Sequence, residues 1–230
     1  MSAVDVVAEA LKEKRYLLTE VESKELIKEA GIPVVDTRLA RTKDEAVSIA
    51  SELGYPVVLK VVSPEITHKS DVGGVKVSLQ DQSQVAQAYD EIVAKASTAG
   101  KVLGVSVQPM VQEGIEVIMG MSKDPHFGPV LAFGLGGITV EIYKDVAFRL
   151  VPLTPRDARE MVREIKGYQL LQGYRGQKAA DIDALEAALM DLSRYVKAHP
   201  EIRELDLNPL FAQSHGVTAA DARVILESEA

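Results

Sequence analysis

The stretch Val57–Val77, VVLKVVSPEITHKSDVGGVKV, constrains this chain more than any other. Its first run, Val57–Val62, is apolar except for Lys60, a pattern that suits a strand buried on both faces. Strand character resumes at Val75–Leu79, and the intervening Ser63–Gly74 gathers Pro, Thr, Ser, Asp and paired glycines, which form loops. The expectation is therefore strand, long loop, strand. A lysine in the first strand, followed by Gly73-Gly74 re-entering the second, reads as a polyphosphate cradle. The ammonium supplies a point charge, and glycine lets backbone N–H groups approach phosphate oxygens closely.

At 230 residues and 47% hydrophobic content, the chain can bury a real core, as one domain or as two subdomains. A net charge of −8 argues against non-specific nucleic-acid binding and against an anionic membrane surface. Aromatic residues are sparse and Trp is absent, which disfavours a base-stacking platform. The absence of cysteine excludes disulfides, thiolate metal sites and cysteine nucleophiles. The start has no charged-then-apolar signal pattern and no long apolar run follows, so a cytoplasmic chain without membrane or nucleic-acid partners is expected.

Residues 1–18 read as a short helix or arm. Thr19 and Glu22 have capping-box spacing ahead of a helix that Gly31-Ile32-Pro33 stops, and Thr42 and Glu45 repeat the pattern ahead of a helix ending at Gly54. A strand is expected over Val34–Ala40, a helix over Gln82–Ala99 and strands over Val102–Met110, Ile115–Met121, Pro129–Phe133 and Val146–Val151. Helices follow at Pro155–Ile165 and Ala184–Ala198, with Thr154 and Asp183 as N-caps and YQLLQGYRG as an irregular link. Two final strands, Ile202–Leu210 and Val217–Leu226, meet at a His215-Gly216 turn. Helices alternate with strands in the first half only. That order predicts two α+β lobes with a cleft between them: a smaller lobe over 19–108 and a larger one over 109–230, joined near Gln108–Gly114.

In the segment Glu204–Pro209, alternation puts Glu204, Asp206 and Asn208 on one strand face and Leu205 and Leu207 on the other. Oxygen ligands at this spacing suit Mg²⁺, with Asp221 in the adjoining strand able to add another; a solvated acidic face is the plainer reading. Glu116 is either a ribose acceptor at the lobe junction or an ordinary exposed strand residue. The cluster Gly134–Gly137 is either a second phosphate-approaching turn or simply a turn. A lone histidine in a polar loop is commonly a surface residue. His68, however, lies between a phosphate-type lysine and a glycine pair, where an imidazole nitrogen can accept a phosphoryl group covalently. A loop of this length, doubled back, reaches at most roughly 20 Å, enough to carry a group between two places. His126 reads as structural, and His199 and His215 carry no assigned chemistry.

Taken together, Lys60, ITHKSDVGGV, VQPMV…EVIMG, DPHFGPVLAFGLGG and ELDLNPL resemble an ATP-grasp protein over about residues 15–230. The resemblance is to the beta subunits of ADP-forming (NDP-forming) acetyl-CoA or acyl-CoA synthetases, relatives of succinyl-CoA synthetase. It implies two α+β lobes gripping ATP or ADP. Lys60 would contact the nucleotide phosphates. Gly73, Gly74, Val75, Gly136 and Gly137 would complete the nucleotide-binding set, the glycines closing over the phosphates. Gln108, Met110 and Val111 would line the adenine, with Glu116 on the ribose. Asp206, Asn208 and Asp221 would hold Mg²⁺. His68 would be a phosphohistidine on a swinging loop, passing its phosphoryl group to ADP after receiving it from a histidine of an alpha subunit.

Two departures shape the expectation. The chain lacks the extra domain that ends succinyl-type beta subunits, and no stretch reads as a CoA or acyl-phosphate site. A separate alpha subunit carrying those sites, in an α2β2 assembly, is therefore expected. Two other readings stay open on the sequence: a direct ATP-grasp carboxylate–amine or carboxylate–thiol ligase, which has no use for His68, and a non-catalytic ATP-sensing module.

Overall fold

The computed structural model describes residues 3–66, 69–111, 113–137, 145–174 and 176–228. In chain order the helices are α1 (Ala3–Lys12), α2 (Glu20–Glu29), α3 (Lys43–Leu53), α4 (Gln82–Ala96), α5 (Pro155–Glu164), α6 (Tyr168–Leu171) and α7 (Ile182–Ala198). The strands are β1 (Arg38–Ala40), β2 (Val57–Val62), β3 (Val75–Leu79), β4 (Gly104–Pro109), β5 (Ile115–Asp124), β6 (Gly128–Leu135), β7 (Val146–Leu150), β8 (Ile202–Ala212), β9 (Val217–Ala219) and β10 (Arg223–Leu226). They fall into two compact units, both α+β.

The smaller unit comprises Thr19–Glu22 and Val35–Val111. Its four strands pair antiparallel in the order β1-β4-β2-β3. All six residues of β2 are buried, as its apolar run requires. Helices α3 and α4 start where short polar side chains take up orphan amides. Thr42 accepts from the Glu45 N–H at 3.2 Å, and Asp81 from that of Gln84 at 2.8 Å. Ala46, Ala50, Val85, Ala88 and Ile92 on these helices join Val57, Leu59, Val61, Val105 and Val107 in one apolar cluster. Strand alternation then puts Lys60, Ser106 and Gln108 on the opposite face of the sheet.

The larger unit comprises the described residues through Leu18, Ser23–Val34 and the chain from 113 onward. Its sheet runs β10-β8-β5-β6-β7, with β9 also paired to β8 and all pairs antiparallel. Val117, Met119, Met121, Leu131, Phe133, Leu205 and Leu207 bury one face against Leu26, Ile27, Met161, Val162, Leu189 and Leu192 of the helices. Asp206, between two core leucines, is thereby presented on the other face.

The division departs from the expected 19–108 and 109–230. Ser23–Val34 belongs to the larger unit because Leu26, Ile27 and Ile32 are sealed in its core, whereas Pro109–Val111 stays with the smaller, where the Met110 N–H donates to Pro56 O at 2.9 Å. The strand expected from Val34 is only Arg38–Ala40, since Val34 instead bridges Ala219 in the larger unit. The segment YQLLQGYRG includes one helical turn, Tyr168–Leu171. The last strand is broken at Ala220–Ala222, leaving Asp221 in a loop.

The N-cap of α7 is Asp181, not Asp183. Its carboxylate accepts from the Ala184 N–H at 3.0 Å and from the Gly216 N–H at 2.9 Å, tying the helix start to the β8–β9 turn. These amides, Gly216's foremost, hold its pKa below the ordinary carboxylate value. A group whose folded pKa is depressed contributes stability above its unfolded pKa of about 3.9 and loses it as pH falls through the folded value. Asp181→Ala is expected to cost about 1–2 kcal/mol at pH 7 in urea unfolding, with the gap to wild type closing below about pH 4. A gap independent of pH would sink the assignment.

Candidate functional site

In the smaller unit the chemistry centres on Lys60, only 6% exposed in the middle of β2 opposite Val75 and Ser106. Its Nζ donates to Glu20 Oε1 at 2.7 Å, while Glu20 Oε2 accepts from Lys69 Nζ at 2.6 Å. Thr19 and Glu22 form the expected reciprocal cap, through the Glu22 N–H to Thr19 Oγ1 at 3.3 Å and the Thr19 N–H to Glu22 Oε2 at 2.7 Å. That cap anchors the first helical turn and so fixes where Glu20 projects. The Glu20 side chain is 1% exposed. Burying a lone carboxylate costs several kcal/mol, so two ammonium partners are what make its position tenable.

The Lys69–Gly74 turn closes on itself. Gly73, at φ +64°, donates its N–H to Ser70 O at 3.0 Å, and Gly74 donates to Lys69 O at 2.8 Å. Gly74 O in turn accepts from the Val61 N–H at 2.7 Å, stitching the turn onto β2. Both glycine amides are thus engaged inside the turn in this structure, unlike the phosphate-facing arrangement expected from sequence. Gly74 is required for space: a Cβ there would lie 2.5 Å from Val61 Cγ1 and 2.8 Å from Lys69 O. Gly74→Ala is accordingly expected to destabilise the protein by about 1–3 kcal/mol in chemical denaturation, the range for overpacking a tight site. A change near zero would mean that the turn is not held this tightly. Val75 follows as the first residue of β3. His68 lies outside the described residues.

The adenine-lining residues expected from sequence also lie in this unit. Gln108 is buried, its Oε1 accepting from Thr37 Oγ1 at 3.3 Å. Met110 and Val111 are half-buried just beyond β4, and Met110 Sδ accepts from Ser78 Oγ at 3.2 Å.

In the larger unit the structure joins two features that the sequence left separate. Glu116 is exposed near the start of β5, and its backbone O accepts from the Gly136 N–H at 2.7 Å. A Cβ on Gly137, at φ +64°, would come within 3.3 Å of Glu116 Oε2. The GLGG turn therefore wraps closely around Glu116.

Asp206 stands in β8 between Gly120 of β5 and Arg223 of β10. A Cβ on Gly120 would press on the β8 backbone, 3.0 Å from Leu205 O, while meeting Asp206 Oδ1 only at an ordinary 3.6 Å. Burial raises the Asp206 pKa above the ordinary value, Arg223 opposes that, and the negative charge of Asp221 adds to it. Asp221 sits in the loop before β10, its Oδ1 accepting from the Ala222 N–H at 2.9 Å. Buried Lys24 braces that loop by donating to Ala220 O at 2.8 Å. Asn208 is exposed two residues beyond Asp206 on β8.

The donor chemistry fits a hard divalent cation. Asp206, Asn208 and Asp221 offer only oxygens, and two mutually repelling carboxylates, one partly buried, favour a cation between them. Among the described residues no group of three or more His, Cys, Asp or Glu could hold a metal. Two carboxylates and an amide match Mg²⁺, which keeps waters and phosphate oxygens as its remaining ligands.

The ATP-grasp domain profile matches residues 9–226. The chain belongs to the ATP-grasp family. It is 45% identical to the beta subunit of the ADP-forming acetate–CoA ligase I of Pyrococcus furiosus, covering 97% of both chains. It is 44% identical to the ADP-forming acetate–CoA ligase I of Archaeoglobus fulgidus, where 97% of this chain spans 33% of that longer protein. A solved acetyl-coenzyme A synthetase of Ca. Korarchaeum cryptofilum, in complex with coenzyme A, Ca-AMPCP and HgCl⁺, superposes with a TM-score of 0.95 at 44% identity, over 98% of this chain and 100% of that one. The same enzyme with coenzyme A and Mg-AMPPCP, its phosphohistidine segment pointing towards the nucleotide-binding site, superposes at 0.87, again at 44% identity and over 98% and 100% of the two chains.

Within this ATP-grasp fold the candidate residues form two clusters, one in each unit. Lys60, Gly73, Gly74, Val75, Gln108, Met110 and Val111 lie in the smaller, and Glu116, Gly136, Gly137, Asp206, Asn208 and Asp221 in the larger. Sequence reading missed Glu20, Lys69, Lys24 and Arg223. Of these only Lys69 carried a usable signal, as the neighbour of His68.

Proposed function

We propose that this chain is the nucleotide-binding beta subunit of an ADP-forming acyl-CoA synthetase, moving a phosphoryl group between His68 and ADP. The observation that carries the reading is the Lys60–Glu20–Lys69 trio. It holds one ammonium on β2 and another beside His68 in the chain, both on a single buried carboxylate. The similarity to acetate–CoA ligase beta subunits, and a related structure whose phosphohistidine segment points at its nucleotide site, support it.

In the transfer, an oxygen of the ADP β-phosphate attacks the phosphorus on His68. The P–N bond breaks, a P–O bond forms, and the imidazole keeps the electron pair of the broken bond. Anionic groups must be brought together for this. Lys60 and Lys69 lower that repulsion as fixed charges in a site that already excludes water from Glu20. Gln108, Met110 and Val111 take the adenine and Glu116 the ribose. Asp206, Asn208 and Asp221 would hold Mg²⁺, which would supply further charge neutralisation on the phosphates. A separate alpha subunit, in an α2β2 assembly in the cytoplasm, forms the acyl phosphate from acyl-CoA and phosphate and hands the phosphoryl group to His68.

The test runs the step backwards. The purified chain is incubated with MgATP, and acid-labile, alkali-stable phosphate is sought and located by mass spectrometry. Phosphate on His68 that requires Mg²⁺ supports the reading. No phosphate, with MgATP bound and the alpha partner present, would overturn it in favour of direct ligation or sensing.

A further inference from the structure

The transfer reading uses the charges of Lys60 and Lys69 and gives their shared partner Glu20 no role of its own, yet Glu20 is a deeply buried charge. Its carboxylate is 1% exposed and engages two lysines at once, one through each oxygen, at 2.7 and 2.6 Å. A buried ion pair is weak support for stability, since apolar groups of similar volume do as well or better. What such a pair provides is geometry.

We propose that Glu20 is a positioning residue for phosphoryl transfer, holding the ammonium groups of Lys60 and Lys69 as an ordered pair. This rests on the transfer to and from His68 proposed above. A lysine carries its charge on a four-carbon stem with about 2 kcal/mol of rotamer entropy, and ordering two of them around a phosphate would draw on binding energy. Glu20 meets that cost before the nucleotide arrives. The two lysines have different mountings: Lys60 projects from a fully buried strand, and Lys69 from the turn that Gly74 ties to β2. One carboxylate bridging them sets their separation.

Glu20 is itself well seated, in a helical turn fixed by the reciprocal Thr19–Glu22 cap. Glu20 touches no reacting atom in this scheme and acts through the lysines.

The test uses the full chain and single-turnover phosphorylation by saturating MgATP in Glu20→Gln, Lys69→Met and the double variant. Each single change is expected to slow transfer about ten- to a hundredfold, the scale of misplacing a group by an ångström. Glu20→Gln releases both lysines and Lys69→Met removes one of them, so the double variant should lose clearly less than the product of the two single losses. Lys69→Arg, which keeps the ion pair, should restore most of the rate lost in Lys69→Met. Losses that multiply in the double variant, or a Glu20→Gln rate within about threefold of wild type, would overturn the proposal. Should Glu20→Gln fail to fold, the Lys69 pair decides: equal rates for Lys69→Met and wild type overturn it, and loss with rescue by arginine supports it. A wild-type chain that takes up no phosphate, with MgATP bound and the alpha partner present, would overturn the transfer reading itself, and this inference with it.

Discussion

The His68→Ala variant is expected to take up no acid-labile phosphate from MgATP, while binding ADP within about threefold of wild type. No other histidine is placed to substitute. His199 Nδ1 lies 2.9 Å from Glu201 Oε1, and its ring packs on Tyr195 with centroids 4.2 Å apart. His126 sits in the β5–β6 turn, where its backbone N–H donates to Asp124 at 2.8 Å. His215 adjoins the Asp181 cap. All three belong to the larger unit, and none has lysines and a glycine pair beside it. Serine or threonine phosphate would survive acid, so the chemistry of the product separates a true loss from phosphate diverted to a hydroxyl. Labile phosphate persisting in the variant would remove His68 from the reaction.

Lys60→Met is expected to weaken ADP binding about 10- to 100-fold, the worth of a charge-assisted hydrogen bond of ~1.5–3 kcal/mol. The variant should also lose stability. It strips one partner from a carboxylate that is 1% exposed. Orphaning a buried charge costs about 3–5 kcal/mol; with Lys69 still in place, about 2 kcal/mol is the expected loss. Titration calorimetry with ADP and urea unfolding read the two effects separately. Lys76→Met, on the neighbouring strand, is the control: Lys76 pairs with Glu91, but both side chains are about a third exposed. Such surface pairs are worth about 0–1 kcal/mol, so that variant should bind ADP and unfold much as wild type does. ADP affinity unchanged in Lys60→Met would remove Lys60 from the phosphate site.

What could be read from the chain in advance followed from short-range rules. The strand at Val57–Val62 is announced by six consecutive residues, and the caps at Thr19, Thr42 and Thr154 by residues three apart. The alternation in ELDLNP was enough to put Asp206 opposite the core. The Asp181 cap was missed because Asp181 and Asp183 both suit a helix start. Choosing between them needs the Gly216 amide, which arrives from a turn 35 residues later.

The site divides along the same line. Its residue types, Lys60, the glycine pair and the oxygen ligands of β8, are local patterns that the sequence determines by itself. Glu20 in a sequence is an acid in a first helical turn, where it complements the helix dipole and calls for no further explanation. Only the tertiary structure reveals it as the buried partner of lysines 40 and 49 residues away. The same is true of Arg223, whose charge opposes the upward shift of the Asp206 pKa. Burial and long-range pairing also decided that most of α2 belongs to the larger unit although its first turn serves the smaller. Periodicity records which face of an element is apolar, but the identity of what that face meets is a property of the folded chain alone.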